Sequence, residues 1–155
     1  MKVLIFGASG KTGSLVVDLA LARGHEVTVL VRDPAKVNES VRVIVGDATD
    51  RQDVFKAVEG HDAVIDTIGG TTPYKDTALE RTAAQNIIDA MRAGNVRRLI
   101  VVSMMGLGDS RDQAPFWYEH LLMPTFLRGS SKDKAALEDE VGGSGLDHMI
   151  AHRRF

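Results

Sequence analysis

The stretch that decides the fold is KVLIFGASGKTGSLVVDLALARG, residues 2–24. Its first five residues have the apolar character of a buried strand, and residues 12–24 carry apolar side chains at helical spacing. Between them, Gly7, Gly10 and Gly13 form a turn with the pattern G-x-x-G-x-x-G. A strand, a glycine turn and a helix in this order are typical of the start of a βαβ unit.

The remaining chain alternates apolar runs of strand length with segments of helical period. The predicted further strands are 26–32, 41–47, 62–70, 97–106 and 146–151, and the predicted helices are 12–24, 50–59, 77–92 and 131–141. In the first helix we expect one buried face made of Leu15, Val16, Leu19 and Ala22. Strands this apolar, each followed by a helix, belong in a parallel sheet that is covered on both faces. The sequence therefore predicts one α/β domain over residues 1–155, with a doubly wound parallel sheet.

Composition excludes several classes of protein. The chain has 44% hydrophobic and 26% charged residues, no cysteine and a formal net charge of −2. This charge gives no basic surface for nucleic acid, and the lack of cysteine removes disulfides, thiol chemistry and Cys-ligated metals. Because no apolar run reaches the length of a membrane span, we expect no membrane segment and a cytoplasmic protein. His148 and His152 are four apart on a predicted strand, not a helix, so no metal site is predicted.

Two kinds of phosphate-binding loop compete for GASGKTG, residues 7–13. The ATP- and GTP-binding loop needs a glycine five residues before that of Gly-Lys-Thr, and this position is Ile5, inside the first strand. The dinucleotide-binding turn needs glycines between a strand and a helix, which is the context found here. Its amides and the positive end of the helix dipole would bind a pyrophosphate. The alternative is a glycine turn without a ligand. The predicted cofactor-binding residues of the turn are Gly7, Ser9, Gly10, Lys11, Thr12 and Gly13.

The end of the second strand indicates which dinucleotide is bound. An NAD site places Asp or Glu here to accept a hydrogen bond from the ribose, whereas arginine accommodates the 2′-phosphate of NADP. Arg32 comes first at this position and Asp33 second. A guanidinium binds a phosphate through two hydrogen bonds, so we expect NADP(H) to be preferred over NAD(H), with Lys36 or Lys11 assisting. The alternative is that Arg32 is a solvated charge.

Five segments occur in an order that is typical of one protein family: GASGKTG, VTVLVRDP, VIVGDATD, LIVVSMMG and KAALEDEVGGSGLDHMIA. Over residues 2–151 the chain thereby resembles the atypical short-chain dehydrogenase/reductases, in particular the NmrA-like and biliverdin/flavin reductase B-like group. The resemblance implies an NAD(P)-binding Rossmann fold. It also implies that Asp47 and Ala48 border the adenine. The resemblance further implies that Thr67, Ile68 and Gly69 line the cofactor and that Ser103 lies beside the nicotinamide.

The chain departs from the wider superfamily at the position of a catalytic tyrosine. Many members use a Tyr-x-x-x-Lys pair, in which the lysine lowers the pKa of the tyrosine. Lys134 falls at the family's lysine position, but the residue four before it is Ser130. By the resemblance we predict Ser103 and Lys134 as the catalytic residues. The alternatives are a serine that bonds its own backbone at a strand end and a lysine that is a solvated helix charge.

Two hypotheses on function follow. The first is an NADP(H)-dependent oxidoreductase that transfers hydride to a flavin, a quinone or a similar conjugated small-molecule acceptor. The second is a non-catalytic, redox-sensing NADP(H)-binding regulator of the NmrA-like type. An aromatic group favours the enzyme as a lid over the cofactor, although it also suits a core or a homodimer contact. The missing tyrosine, and a C-terminal substrate lobe that we expect to be short or missing, favour the regulator. The aromatic residues are Phe116, Trp117, Tyr118 and Phe126.

Overall fold

A computed structural model describes residues 1–38, 40–69, 78–104 and 128–153. The strands are β1 (Lys2–Phe6), β2 (Glu26–Val31), β3 (Arg42–Val45), β4 (Ala63–Asp66), β5 (Arg98–Met104) and β6 (Asp147–Arg153). The helices are α1 (Lys11–Ala22), α2 (Arg51–Val58), α3 (Leu79–Ala93) and α4 (Arg128–Gly142). Every predicted strand and helix is therefore present. β4 is shorter than predicted because the chain turns after Asp66, whose Oδ1 accepts a hydrogen bond from the backbone N–H of Ile68.

The sheet has the strand order β3-β2-β1-β4-β5-β6. All neighbouring strands run parallel, which confirms the predicted doubly wound, Rossmann-type fold. The chain moves outward from β1 through β2 to β3 and then returns to β4 on the other side of β1. The direction of strand order thus reverses between β1 and β4, and the carboxyl ends of these two strands form the crevice where such sheets bind ligands.

Hydrophobic side chains cover both faces of the sheet. On one face α2, α3 and α4 pack over β1, β4 and β5, and fully buried residues here include Phe6, Ile87 and Met91. On the other face α1 packs through Val17 and Ala20. The apolar faces of the helices therefore hold the carboxyl ends of β1 and β4 in fixed positions, which is what the functional site requires.

The predicted face of α1 is wrong for three of its four residues, while Val16 is half-buried and packs against the core. Leu15 and Leu19 are each more than half exposed, and Ala22 is exposed as well. The orientation of α1 is set instead by Gly13, which packs directly against the backbone of the preceding turn. Once Gly13 faces the sheet, the residues four and seven positions later face it too, and these are Val17 and Ala20 rather than the leucines.

Some sequence predictions concern parts of the chain that are not described. Gly70 and the aromatic residues Phe116, Trp117, Tyr118 and Phe126 lie outside the described residues. Within the described ranges, no helix combines the length and the apolar character needed to cross a bilayer.

Candidate functional site

A cleft of about 350 Å³ lies at the carboxyl ends of β1, β2 and β4. This volume is in the range of small-ligand sites. Its lining residues are Gly7, Ser9, Gly10, Leu30, Val31, Arg32, Lys36, Gly46, Asp47, Ala48, Thr67, Ile68, Gly69 and Leu79. Of the predicted cofactor-binding residues, Lys11, Thr12 and Gly13 are not in this lining and form the first turn of α1. The fold therefore brings together residues that are distant in the sequence, at the crevice between β1 and β4.

Two glycines allow β1, β4 and α1 to approach one another closely. Gly7 has φ +76°, and a Cβ added to it would lie 2.7 Å from the backbone carbon of Thr67. A Cβ added to Gly13 would lie 2.1 Å from the carbonyl oxygen of Gly7. No side chain fits at either distance, so both positions require glycine for steric reasons that are independent of any ligand.

The N-terminus of α1 faces the cleft through Gly10. Gly10 is the N-cap residue, and its N–H donates a 3.0 Å hydrogen bond to the carbonyl of Gly7. Gly10 has no side chain with which to cap this end of α1, and the first turn contains no acidic residue. A helix N-terminus carries a partial positive charge and backbone amides that point outward. The cradle left by the glycines and the charge of the helix end therefore fit the diphosphate of a dinucleotide.

Cations line the cleft at the end of β2. Arg32 is exposed, and Lys36 follows in a short 3₁₀ turn, Pro34–Lys36, that is capped by the Asp33 side chain. Lys36 also pairs with Asp33 across 3.6 Å. Because both side chains of that pair are well exposed, the pair adds little stability and leaves Lys36 able to reorient.

An ionised carboxylate lies in the same part of the cleft. Asp47 accepts 2.8 Å hydrogen bonds at Oδ1 from the backbone N–H and from the hydroxyl of Thr49. These bonds, together with the nearby Arg32 guanidinium, hold the pKa of Asp47 below its usual value despite partial burial. Asp47 therefore offers a fixed hydrogen-bond acceptor next to the cations at the end of β2.

The end of β4 is tied to β1 and contains a buried acid. The hydroxyl of Thr67 donates to the carbonyl of Phe6 at 2.7 Å, which joins the two strands beside the cleft. The preceding residue, Asp66, is fully buried, and burial raises its pKa to about 6. The hydrogen bond from Ile68 and the nearby Lys134 ammonium oppose this rise in pKa. Asp66 thus lies directly beneath the residues that line the cleft.

Lys134 is not a solvated helix charge, and that alternative is wrong. Its side chain is 12% exposed, and Nζ lies 2.7 Å from Oε2 of Glu80, which is 1% exposed. Nζ also lies 3.4 Å from the carbonyl oxygen of Ile68 and 3.3 Å from that of Val102. Lys134 therefore links α3 to the carboxyl ends of β4 and β5 from inside the protein.

Asp133, the residue before Lys134, also joins α4 to α3. Ala78, the N-cap residue of α3, cannot cap the helix with its own side chain. Instead the Asp133 carboxylate of α4 accepts hydrogen bonds of 3.0 Å from the backbone N–H groups of Glu80 and Arg81. Asp133 and Glu80 were not predicted as site residues, and no local signal indicates them, because they lie 53 residues apart in the sequence.

Ser103 lies at the carboxyl end of β5, where its hydroxyl donates to Oε1 of Glu138 on α4 at 2.5 Å. The alternative that Ser103 bonds its own backbone is therefore wrong. Nε2 of His152 on β6 lies 3.2 Å from the same Glu138 oxygen. Neither Ser103 nor Lys134 lines the cleft, although Lys134 contacts Ile68, which does. Within the described residues, no group of three acidic or histidine side chains could hold a metal ion.

Comparison with known proteins identifies the family of the chain. A family model described as NAD(P)H-binding matches residues 7–153. The chain belongs to this NAD(P)H-binding family of oxidoreductases, and within it to the proteins that resemble the atypical short-chain dehydrogenase/reductases. The predicted family is therefore confirmed.

Individual relatives match over different extents. A 3-diazoavenalumate denitrifying reductase from a Streptomyces species is 36% identical over 115 residues, which are 67% of this chain and 38% of that protein. The uncharacterized protein YwnB of Bacillus subtilis is 34% identical over 110 residues, or 68% of this chain and 48% of that one. The match thus spans less than half of each of these curated relatives.

Solved structures share the fold over nearly the whole chain. ChuY, an anaerobillin reductase from Escherichia coli O157:H7, has a TM-score of 0.78 and 26% identity over 98% of this chain and 72% of its own. A short-chain dehydrogenase/reductase from Veillonella parvula in complex with NADP has a TM-score of 0.76, covering 97% of this chain and 68% of that chain. At 20% identity, the latter comparison shows the fold alone.

Proposed function

We propose that the protein is an NADP(H)-dependent reductase that transfers hydride to a small conjugated acceptor such as a flavin or a quinone. The observation that supports this most is the charge pattern of one cleft. The positive end of α1 at Gly10 lies at one side, and the cations Arg32 and Lys36 lie at the end of β2. The helix N-terminus suits a diphosphate, and the two cations suit the additional 2′-phosphate that distinguishes NADP(H) from NAD(H).

Each part of the cofactor would have its own set of residues. The turn over residues 7–13 would hold the diphosphate, while Asp47 and Ala48 would border the adenine. The backbone over residues 67–69 would support the nicotinamide side. When bound, the nicotinamide supplies the hydride, and the protein contributes binding and orientation of the two reactants.

The two residues predicted to be catalytic receive different roles in this proposal. Ser103 remains the proposed catalytic residue, because its hydroxyl lies at the carboxyl end of β5 and is oriented by Glu138. Lys134 is proposed to act as a positioning residue, since Nζ is engaged by Glu80 and by the carbonyls of Ile68 and Val102. Its loss would displace the β4 end of the cleft.

The names of several relatives support reduction of a small organic acceptor. They include a diazoavenalumate denitrifying reductase and isoflavone reductase homologues from Nicotiana species. We place the reaction in the cytoplasm, where a reducing environment suits a nicotinamide-dependent reductase.

The test is a binding titration followed by a turnover assay. Quenching or enhancement of NADPH fluorescence gives the Kd, and the same titration with NADH gives the preference, which we expect to favour NADPH by at least about tenfold. Loss of NADPH absorbance is then followed with FMN, FAD, quinones and biliverdin. Equal affinity for both cofactors would contradict the NADP(H) preference.

A redox-sensing regulator is the second candidate, and one observation favours it. Lys134 pairs with Glu80, and Ser130 stands at the position of the superfamily's tyrosine, so the sequence contains no Tyr-x-x-x-Lys pair. Saturable NADPH binding without oxidation by any acceptor in the panel would favour the regulator over the reductase.

A further inference from the structure

Three polar side chains form a continuous hydrogen-bonded path from β6 to the carboxyl end of β5. Oε1 of Glu138 accepts a bond from the Ser103 hydroxyl at 2.5 Å and lies 3.2 Å from Nε2 of His152. Ser103 is buried, whereas the side chains of Glu138 and His152 are 10% and 19% exposed. An ionised carboxylate only accepts hydrogen bonds, so the contact with His152 requires a hydrogen on Nε2. The path thus begins at a partly solvated imidazole and ends at a buried hydroxyl.

The path lies next to the cleft. Ser103 and His152 are register partners on the adjacent strands β5 and β6. Glu138 follows Lys134 by one helical turn on α4, so the two side chains lie on the same side of that helix. Lys134 in turn contacts the carbonyl of Ile68, a residue that lines the cleft. The buried end of the path therefore lies at the carboxyl end of β5, beside β4, and residues 67–69 that follow β4 form the proposed nicotinamide side.

We propose that Ser103, Glu138 and His152 deliver the proton that reduction of the acceptor consumes. This inference rests on the proposed function. The reduced nicotinamide, when bound, would supply the hydride and be oxidised, and Oγ of Ser103 would supply the proton to the acceptor. Oγ regains a proton from Oε1 of Glu138, which takes it from Nε2 of His152, and His152 is reprotonated by solvent. The path thereby supplies what a catalytic tyrosine supplies in other members, where this chain has Ser130.

Among the charged groups around the path, Glu138 contacts the imidazole of His152 and not the Lys134 ammonium. From α4, Lys134 pairs with Glu80 of α3 at 2.7 Å and does not bridge to Glu138 in the described structure. Two further acids belong to that neighbouring cluster: Asp133, which accepts a hydrogen bond from the backbone N–H of Glu80, and Asp66 at the end of β4, whose pKa is influenced by both Lys134 and Glu80. In the described structure Nε2 of His152 thus contacts the Glu138 carboxylate, and the same carboxylate oxygen accepts the hydrogen bond from Ser103.

The kinetic test compares His152→Ala and Glu138→Gln with the wild-type protein. We expect kcat with a flavin or quinone acceptor to fall about 100-fold or more in each variant, because general-acid catalysis contributes at least this much. The Kd for NADPH should stay unchanged. Imidazole added to the buffer should restore turnover to His152→Ala but not to Glu138→Gln. His148→Ala is the matched control, since His148 is an exposed histidine of the same strand.

A second readout does not depend on turnover. In protein labelled with ¹⁵N-histidine, we expect a slowly exchanging proton on Nε2 of His152 in the wild type. This resonance should be lost in Glu138→Gln and kept in His148→Ala, because only Glu138 contacts that nitrogen in the described structure. Absence of a protected proton in the wild type would overturn the inference.

The outcomes separate the path from the proposed function. The proposed proton path would be contradicted if His152→Ala kept the kcat of the wild type. It would also be contradicted if both variants lost NADPH affinity and Tm together. Neither result would contradict the proposed reductase function. If the wild type binds NADPH saturably and reduces no acceptor, the proposed function is contradicted and the path falls with it. Rescue of His152→Ala by imidazole supports both.

Discussion

Replacing Lys134 by methionine tests whether the buried ion pair holds the candidate site together. The Lys134 and Glu80 side chains are 12% and 1% exposed, and their charged atoms are 2.7 Å apart. Removing one partner of a buried pair costs about 3–5 kcal/mol, because the other charge stays in a medium that solvates it poorly. For a domain of this size, each kcal/mol lowers Tm by about 2–4 °C. We therefore expect Lys134→Met to lower Tm by roughly 6–20 °C.

The assay is thermal unfolding followed by circular dichroism at two pH values. The loss should be smaller at pH 5 than at pH 8, since protonation neutralises the carboxylates that have lost their cation. Lys56→Met, an exposed lysine on α2, is the matched control and should change stability by less than about 0.5 kcal/mol. The double variant with Glu80→Gln should recover much of the loss. A Lys134→Met protein within about 1 kcal/mol of the wild type would refute this reasoning.

Three further predictions concern single residues of the site. Burial raises the pKa of Asp66 from 3.8 to about 6, so its protonated form favours the folded state. The free energy of unfolding of the wild type, relative to that of Asp66→Asn, should fall by up to about 3 kcal/mol as pH rises from 4 to above 6. Urea unfolding at each pH measures this difference. A difference that does not change with pH would contradict the raised pKa of Asp66. Arg32→Asp should weaken NADPH binding about tenfold or more and leave NADH binding equal or stronger, and unchanged NADPH affinity would refute the role of Arg32. Gly13→Ala should abolish cofactor binding and lower Tm, because its Cβ would lie 2.1 Å from the Gly7 carbonyl oxygen; Gly142→Ala, with nothing within 4 Å of its Cβ, is the control that should be neutral.

Local signals made the fold and the glycine turn predictable from the sequence. The central strands β1, β4 and β5 each contain a continuous apolar run, and the spacing of Gly7 and Gly13 reflects a steric need at one corner of the sheet. The helix face of α1 could not be predicted from hydrophobicity, because the approach of Gly13 to Gly7 outweighs the apolar character of Leu15 and Leu19. Backbone contact at a turn thus determined the orientation of a whole helix.

Contacts between distant segments explain what the sequence analysis missed at the site. Asp66 lies inside the strand predicted over residues 62–70, and nothing nearby in the sequence shows that it is fully buried close to Lys134. The spacing of Lys134 and Glu138 on one helix face was visible, but their partners come from α3, β5 and β6. Pairings of this kind follow from the strand order and the helix packing, and so become visible only in the folded chain.

The most direct test of the account is a crystal structure of the protein with NADP⁺. We expect the diphosphate at the N-terminus of α1, with oxygens about 3 Å from backbone amides of the first helical turn, and the 2′-phosphate beside Arg32. A diphosphate bound elsewhere on the protein, or a 2′-phosphate directed away from Arg32 and Lys36, would contradict it.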